Sequence, residues 1–229
     1  MATLLPRDAE VLAAVGRFRM LTRAQVKRWF FGTVSEPVVT RFMQRTQRAG
    51  HLGVARLGGN GMQVLWLTRK GRDALVARGS SAADLFPAAG PAAAKDFDHT
   101  VAIAEAAIWL ALRTPAPDEL LPAWTLARFF GGSLAAIPDL LALWRSKGDI
   151  RSTAAALAVE VDLGTEPLRS VLVPKLGELA GLIDAWLPGV ATTILVLVPG
   201  IRRRDALRNM LSDSACSVTV EVAAEVFRC

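Results

Sequence analysis

The chain has 229 residues, 52% of them hydrophobic, enough for one large domain or two small ones with real cores, and its net charge is +6. That charge is uneven: residues 1–79 hold 14 Lys/Arg against 4 Asp/Glu (+10) and residues 80–229 hold 13 against 17 (−4), so a polyanionic partner is expected for the first half only. Two cysteines (Cys216, Cys229) and two histidines (His51, His99), with no C-x-x-C or H-x-x-x-H pair, argue against a structural zinc site, and the lack of tyrosine excludes a tyrosine-type relaxase or topoisomerase.

Pro6 opens a first helix running to about Gly16, with Leu12 and Val15 facing inward alongside Leu21. Thr22 then caps a second helix, with Gln25 completing a capping box and Val26, Trp29 and Phe30 forming its apolar face. A turn at residues 32–34 leads to Ser35, the expected cap of a third helix that carries Pro37 in its first turn and stops at Gly50. Two strand-like runs follow, residues 52–57 and 62–67, joined by Gly58-Gly59-Asn60-Gly61, a tip suited to positive φ. Helix, turn, helix and hairpin in this order predict a winged helix-turn-helix over residues 22–68.

The third helix carries the functional signal. At about 100° per residue, Val38, Val39, Phe42 and Met43 fall on one side. The other side bears two stripes, Arg41/Arg45/Arg48 and Thr40/Gln44/Gln47, with no acid after Glu36. Arginine suits phosphates and guanine edges, and Gln and Thr suit base edges in a major groove. An ordinary solvated face would mix signs. The helix also stands where a recognition helix should, second of the pair and just before a wing. Thr40, Arg41, Gln44, Arg45, Gln47 and Arg48, with Arg56 and Asn60 on the wing, are therefore the predicted DNA-binding residues.

Thr68 caps a further helix ending at Gly79, and residues 79–94, rich in Ala, Gly, Ser and Pro, read as a linker. The expected domains are thus residues 1–79, a linker at 80–94, and residues 95–229. The second begins with a long apolar helix, residues 96–113, carrying Val101, Ala104, Ile108 and Leu112 at helical spacing. After a Pro-rich loop come strand candidates at residues 124–130, 136–144 and 154–162. A helix at 166–187, a strand at 192–198, a short basic helix at 202–211 and a last strand at 217–226 complete the chain. The order α-β-β-β-α-β-α-β predicts an α/β (α+β) domain with a mixed sheet. The six tryptophans are most simply core. The charged N-terminus gives no signal peptide, and the most apolar run, residues 190–199, is too short to span a bilayer. A cytoplasmic, nucleoid-associated protein with no membrane partner is expected, the low sulfur content agreeing with a reducing compartment.

Asp139 follows Pro138 near the start of the second strand candidate, and Glu160 and Asp162 end the third on the same face by period-two alternation. Lys175 lies on the next helix. Asp139, Glu160 and Asp162 at a strand end can hold Mg²⁺, with Lys175 steadying a scissile phosphate. Acids at strand ends are also common simply because strand ends meet water.

Several motifs taken together resemble the replication-relaxation family of bacterial plasmids and mobile elements. They are Leu21-Thr22 with Gln25, Leu67-Thr68-x-x-Gly71, Asp98-His99, Pro138-Asp139, and Glu160-Val-Asp162-x-Gly164-Thr165-Glu166 ahead of Lys175. The resemblance runs from about Asp8 to Val198. It implies a second half like the restriction-endonuclease-like fold, whose core order is αβββαβ and whose signature is Pro-Asp on strand two and Asp/Glu-x-Lys on strand three. Asp139 and Glu160 match, whereas Asp162 stands in the lysine position and Lys175 would be a migrated equivalent; Glu105 is where some members add a carboxylate. Asp139, Glu160, Asp162 and Lys175 are then the catalytic candidates if the site is active, the first three being the metal ligands.

The implied function is a double-stranded DNA-binding protein of a plasmid, phage or mobile element, acting in replication/relaxation or transcriptional control. Its expected partners are duplex DNA, a second copy in a dimer, and a replication or relaxase protein. The alternative is a Mg²⁺-dependent nickase or endonuclease targeted by the winged helix; without that activity no cofactor is called for.

Overall fold

The computed structural model describes residues 4–57, 61–87, 90, 94–130, 137–146, 149–212 and 218–222. It divides into two compact units between Ala104 and Glu105.

In the first unit, α1 (Pro6–Arg17) buries Val11, Leu12 and Val15. A short strand β1 (Leu21–Thr22) leads into α2 (Arg23–Val26). The Thr22–Gln25 capping box forms in both directions: the Gln25 N–H donates to Thr22 Oγ1 at 3.2 Å and the Thr22 N–H to Gln25 Oε1 at 2.8 Å. The helix does not continue as α. Residues Lys27–Phe31 wind as a π-helical turn, closed by a Gly32 N–H to Lys27 carbonyl bond of 2.9 Å. Wider winding shifts the inward position by one residue. Phe31, rather than the expected Phe30, is buried, and Trp29 and Phe30 stack on each other half-exposed.

Next comes α3 (Glu36–Arg48), with Val39, Phe42 and Met43 buried as the wheel requires. Ser35 occupies the N-cap position, but its side chain makes no capping bond. The hairpin β2 (Leu52–Leu57) and β3 (Met62–Leu67) has the predicted bounds, pairs from Leu52↔Leu67 to Leu57↔Met62, and takes β1 on the far side of β3. The hairpin tip, including Asn60, lies outside the described residues.

The exit from the hairpin shows why a Thr-x-x-Gly sequence sits there. Thr68 caps α4 (Arg69–Val76) by accepting the Gly71 N–H at 3.0 Å, and its hydroxyl donates to the Gly50 carbonyl at 2.6 Å. Gly71 meanwhile lies so close to the His51 carbonyl that a Cβ there would stand 2.2 Å from its oxygen. Within residues 79–94, Leu85 is buried and the Phe86 N–H donates to the Gly16 carbonyl at 2.8 Å. Helix α5 (Ala94–Ala111) then begins inside this unit, where Phe97 and Val101 cluster with Met20 and Val64, and Gln25 Nε2 donates to the Val101 carbonyl at 2.9 Å.

The second unit is built on a five-stranded mixed sheet in the order β4-β5-β6-β7-β8. The strand expected at residues 124–130 is a helix. The strand is instead β4 (Glu119–Pro122), and α6 (Ala123–Phe130) follows it at once. Pro122, Thr125 and Leu126 are buried while Arg128 is exposed, a helical rather than alternating period. β5 (Leu140–Ser146) and β6 (Asp149–Val161) continue antiparallel.

The helix expected across residues 166–187 is interrupted. A π-helical turn, Leu168–Leu172, precedes α7 (Val173–Trp186), because Pro174 has no N–H to give and is accommodated only in a first turn. β7 (Ala191–Val198) returns parallel to β6, and α8 (Ile201–Leu211) carries the chain to β8 (Val218–Val222), parallel to β7. The sequence therefore yields α-β-α-β-β-α-β-α-β, with one helix inserted after the first strand.

Ala156, Ala158, Ile194 and Val196 on one sheet face pack with Leu172, Leu176, Leu179 and Ile183. The alternate residues Val159, Val161, Leu195 and Leu197 are buried too. Two expectations of core fail. Leu112 lies just beyond α5 and is 56% exposed. All six tryptophans are only half-buried, although Trp66 packs against the Met20, Val64, Phe97 and Val101 cluster. Among the described residues, no helix is long and apolar enough to cross a membrane.

Candidate nucleic-acid interface and carboxylate cluster

The outer face of α3 presents Arg41, Gln44, Arg45, Gln47 and Arg48 to solvent, and Arg56 is exposed on β2. Among the described residues, Arg41, Arg48 and Arg56 take part in no ion pair. Two other predicted residues are engaged. Thr40 accepts a hydrogen bond from Arg23 at 2.7 Å and donates to the Glu36 carbonyl at 3.0 Å. Glu36, the lone acid of α3, is bracketed by Lys27 (2.5 Å) and Arg23 (2.8 Å), whose hydrogen bonds hold its carboxyl below the usual range. Its charge is thus neutralised at the helix start and does not oppose the arginine stripe.

Arg45 is also paired. Its Nη2 lies 2.7 Å from both carboxylate oxygens of Asp8 on α1. Asp8 was absent from the predicted site, yet a signal was present: it lies three, four and seven residues before Val11, Leu12 and Val15, which puts an acid on an otherwise apolar face.

In the second unit, the β5–β6 register pairs Leu140 with Val159, so Asp139, one residue earlier, stands opposite Glu160. Asp139 Oδ2 accepts the Val161 N–H at 2.8 Å. Glu160 points to the α7 side of the sheet, where Lys175 donates to its Oε1. Its Oε2 is buried with no hydrogen-bond partner, in a side chain 4% exposed. Burial, reinforced by the Asp139 charge and opposed by Lys175, pushes the Glu160 carboxyl up to about 7. Burial alone would lower Lys175; the charge and hydrogen bond of Glu160 outweigh it and raise the ammonium above its ordinary value, so the lysine stays charged throughout the neutral range.

Asp139, Glu160 and Lys175 are therefore together. Asp162 is engaged elsewhere. It lies one residue past β6, where its N–H donates to the Leu197 carbonyl at 2.9 Å. Oδ1 accepts the Gly164 N–H at 2.8 Å, and the Arg203 guanidinium of α8 grips both oxygens. A buried carboxylate needs a counter-charge or hydrogen bonds, and Arg203 together with the Gly164 N–H supplies both. Arg203 shares the face of Leu207, which is fully buried, and that i, i+4 relation was its only trace in the sequence. No group of three potential metal ligands exists among the described residues.

A family model described as replication-relaxation matches residues 12–187. The chain belongs to the replication-relaxation family. That span contains α3, the hairpin and the Asp139–Glu160–Lys175 cluster, and the membership gives the protein a replication-related role. It contains neither Asp8 nor Arg203, the two partners that sequence reasoning missed. No curated protein and no solved structure matches the chain.

Proposed function

We propose that this replication-relaxation protein binds double-stranded DNA at a plasmid, phage or mobile-element locus, in replication/relaxation or transcriptional control. The first unit would act as a winged helix, α3 entering the major groove and the β2–β3 hairpin following the backbone. The observation that carries this reading is the outer face of α3: Arg41 and Arg48 exposed and unpaired, Gln44 and Gln47 beside them, and its one acid already neutralised. A surface that leaves cations unpaired suits a polyanion, because binding releases counterions from the DNA. Dimerisation on a palindrome and docking of a replication or relaxase partner are part of the same proposal.

The test is duplex binding by the full chain across a salt series. The affinity should fall steeply with salt. Arg41→Ala with Arg48→Ala should flatten the slope by about one ion for each phosphate the variant no longer neutralises. Arg56→Ala should weaken all duplexes about equally, since phosphate contacts carry no sequence information. Binding indifferent to salt, or unchanged in the Arg41/Arg48 double variant, would sink the proposal.

A second reading, a Mg²⁺-dependent nickase, draws on one observation: the partnerless buried Glu160 Oε2 beside Asp139 and Lys175. Mg²⁺ is commonly held by one or two carboxylates plus waters, so Asp139 and Glu160 fit it in part. Bound there, the ion would supply an activated water and charge for the leaving phosphate. Asp162, gripped by Arg203, would not join it, and that grip favours the binding role. Supercoiled plasmid incubated with Mg²⁺ or Mn²⁺ should therefore stay intact. Nicking by the wild type that Asp139→Ala and Glu160→Ala both abolish would make the protein an enzyme.

A further inference from the structure

The Asp8–Arg45 pair distinguishes one arginine of α3 from its neighbours. Asp8 is 3% exposed on the apolar face of α1, whereas the Arg45 side chain is 48% exposed. Both Asp8 oxygens contact the same nitrogen, Nη2, at 2.7 Å. A guanidinium has five N–H donors, so this contact leaves those of Nη1 and Nε unspent. As a brace alone the pair is a poor device. A half-exposed ion pair adds little stability, and an apolar residue would fill the Asp8 position without the cost of burying a charge. What the pair does supply is a fixed guanidinium. An unpaired arginine loses much rotamer freedom when a ligand orders it, and a held one has lost it beforehand.

We infer that Asp8 is a positioning residue that holds Arg45 for readout of a guanine at one position of the DNA site. Guanine offers two acceptors, O6 and N7, in the major groove, and an arginine donor is its usual reader. Arg41 and Arg48, which have no such hold, are left to follow phosphates. The inference rests on the DNA-binding reading above and assigns specificity within it.

The experiment uses the full chain and a random-sequence duplex pool, with bound sequences counted for wild type, Arg41→Ala with Arg48→Ala, Arg45→Lys, Arg45→Ala and Asp8→Asn, and thermal melts run in parallel. Wild type should enrich a guanine at a defined position. Arg45→Lys keeps a cation beside Asp8, but its one ammonium is spent on that carboxylate and cannot also reach guanine; with an unchanged melt, it should lose discrimination at that position alone by about tenfold. Asp8→Asn should blur the same position and no other. Retained guanine preference in Arg45→Lys, or a uniform loss of affinity in Arg45→Ala with no position affected, overturns the inference while leaving DNA binding intact. A wild type that enriches nothing and binds no better than the Arg41/Arg48 double variant overturns the DNA-binding reading itself.

Discussion

The α3 face and the carboxylate cluster handle charge in opposite ways. On α3 the acid is neutralised, and Arg41 and Arg48 are exposed with no ion pair among the described residues. In the second unit the acids are buried, and a lysine and an arginine have closed on them from neighbouring helices. Unpaired surface charge costs little in water and becomes useful only when a partner arrives. A buried carboxylate cannot wait in that way: it must be paired, hydrogen-bonded or protonated at once. The first arrangement is therefore open to an outside ligand, and the second largely serves itself.

The sharpest way to break that contrast is to remove a cation from the second unit. Arg203→Ala leaves Asp162, whose side chain is 1% exposed, without its counter-charge. Breaking a buried pair in this way costs about 3–5 kcal/mol, which chemical denaturation would read directly. A loss below about 1 kcal/mol would show that this pair behaves like a surface one.

A smaller and pH-dependent effect is expected at Glu160. Its folded-state pKa, about 7, lies above the ordinary glutamate value of 4.5, so between those values the folded state holds a proton that the unfolded state has released. The stabilisation from the protonated carboxyl is complete below the unfolded value and is lost as pH rises through the folded one. Glu160→Gln keeps the uncharged form at every pH. Measured against wild type from pH 5 to pH 8, its relative stability should rise by about 2–3 kcal/mol. A flat difference would mean that Lys175 already holds Glu160 ionised. The corresponding changes on α3, Arg41→Ala and Arg48→Ala, should leave the melting temperature nearly untouched and be visible only with DNA present.

The pieces legible in the sequence were those fixed by short-range rules. The Thr22–Gln25 box, the hairpin bounds and the Thr68-x-x-Gly71 exit each depend on residues a few positions apart. So does the Asp139–Glu160 neighbourhood, once two adjacent strands are paired. What stayed hidden depended on distant partners or on irregular winding. Residues 124–130 carry strand-like side chains at helical spacing. The π turns move Phe31 inward and break the helix before Val173. Asp8 with Arg45 and Asp162 with Arg203 are 37 and 41 residues apart; local spacing marks Asp8 and Arg203 as facing inward but does not name the partner of either.

Gln25 has a role beyond its cap. Its Oε1 closes the box on Thr22 while its Nε2 grips the Val101 carbonyl, so the start of α2 and the first half of α5 are tied through a single amide. Phe97 and Val101 also share a cluster with Met20 and Val64, which links the same helix to β3. Such contacts tie together segments 76 residues apart in sequence. A chain divided at residue 79 would part the hairpin from the helix that completes its core. A fragment ending at residue 79 is therefore expected to melt below one that reaches past Val101, since it lacks Phe97, Val101 and the acceptor of the Gln25 amide.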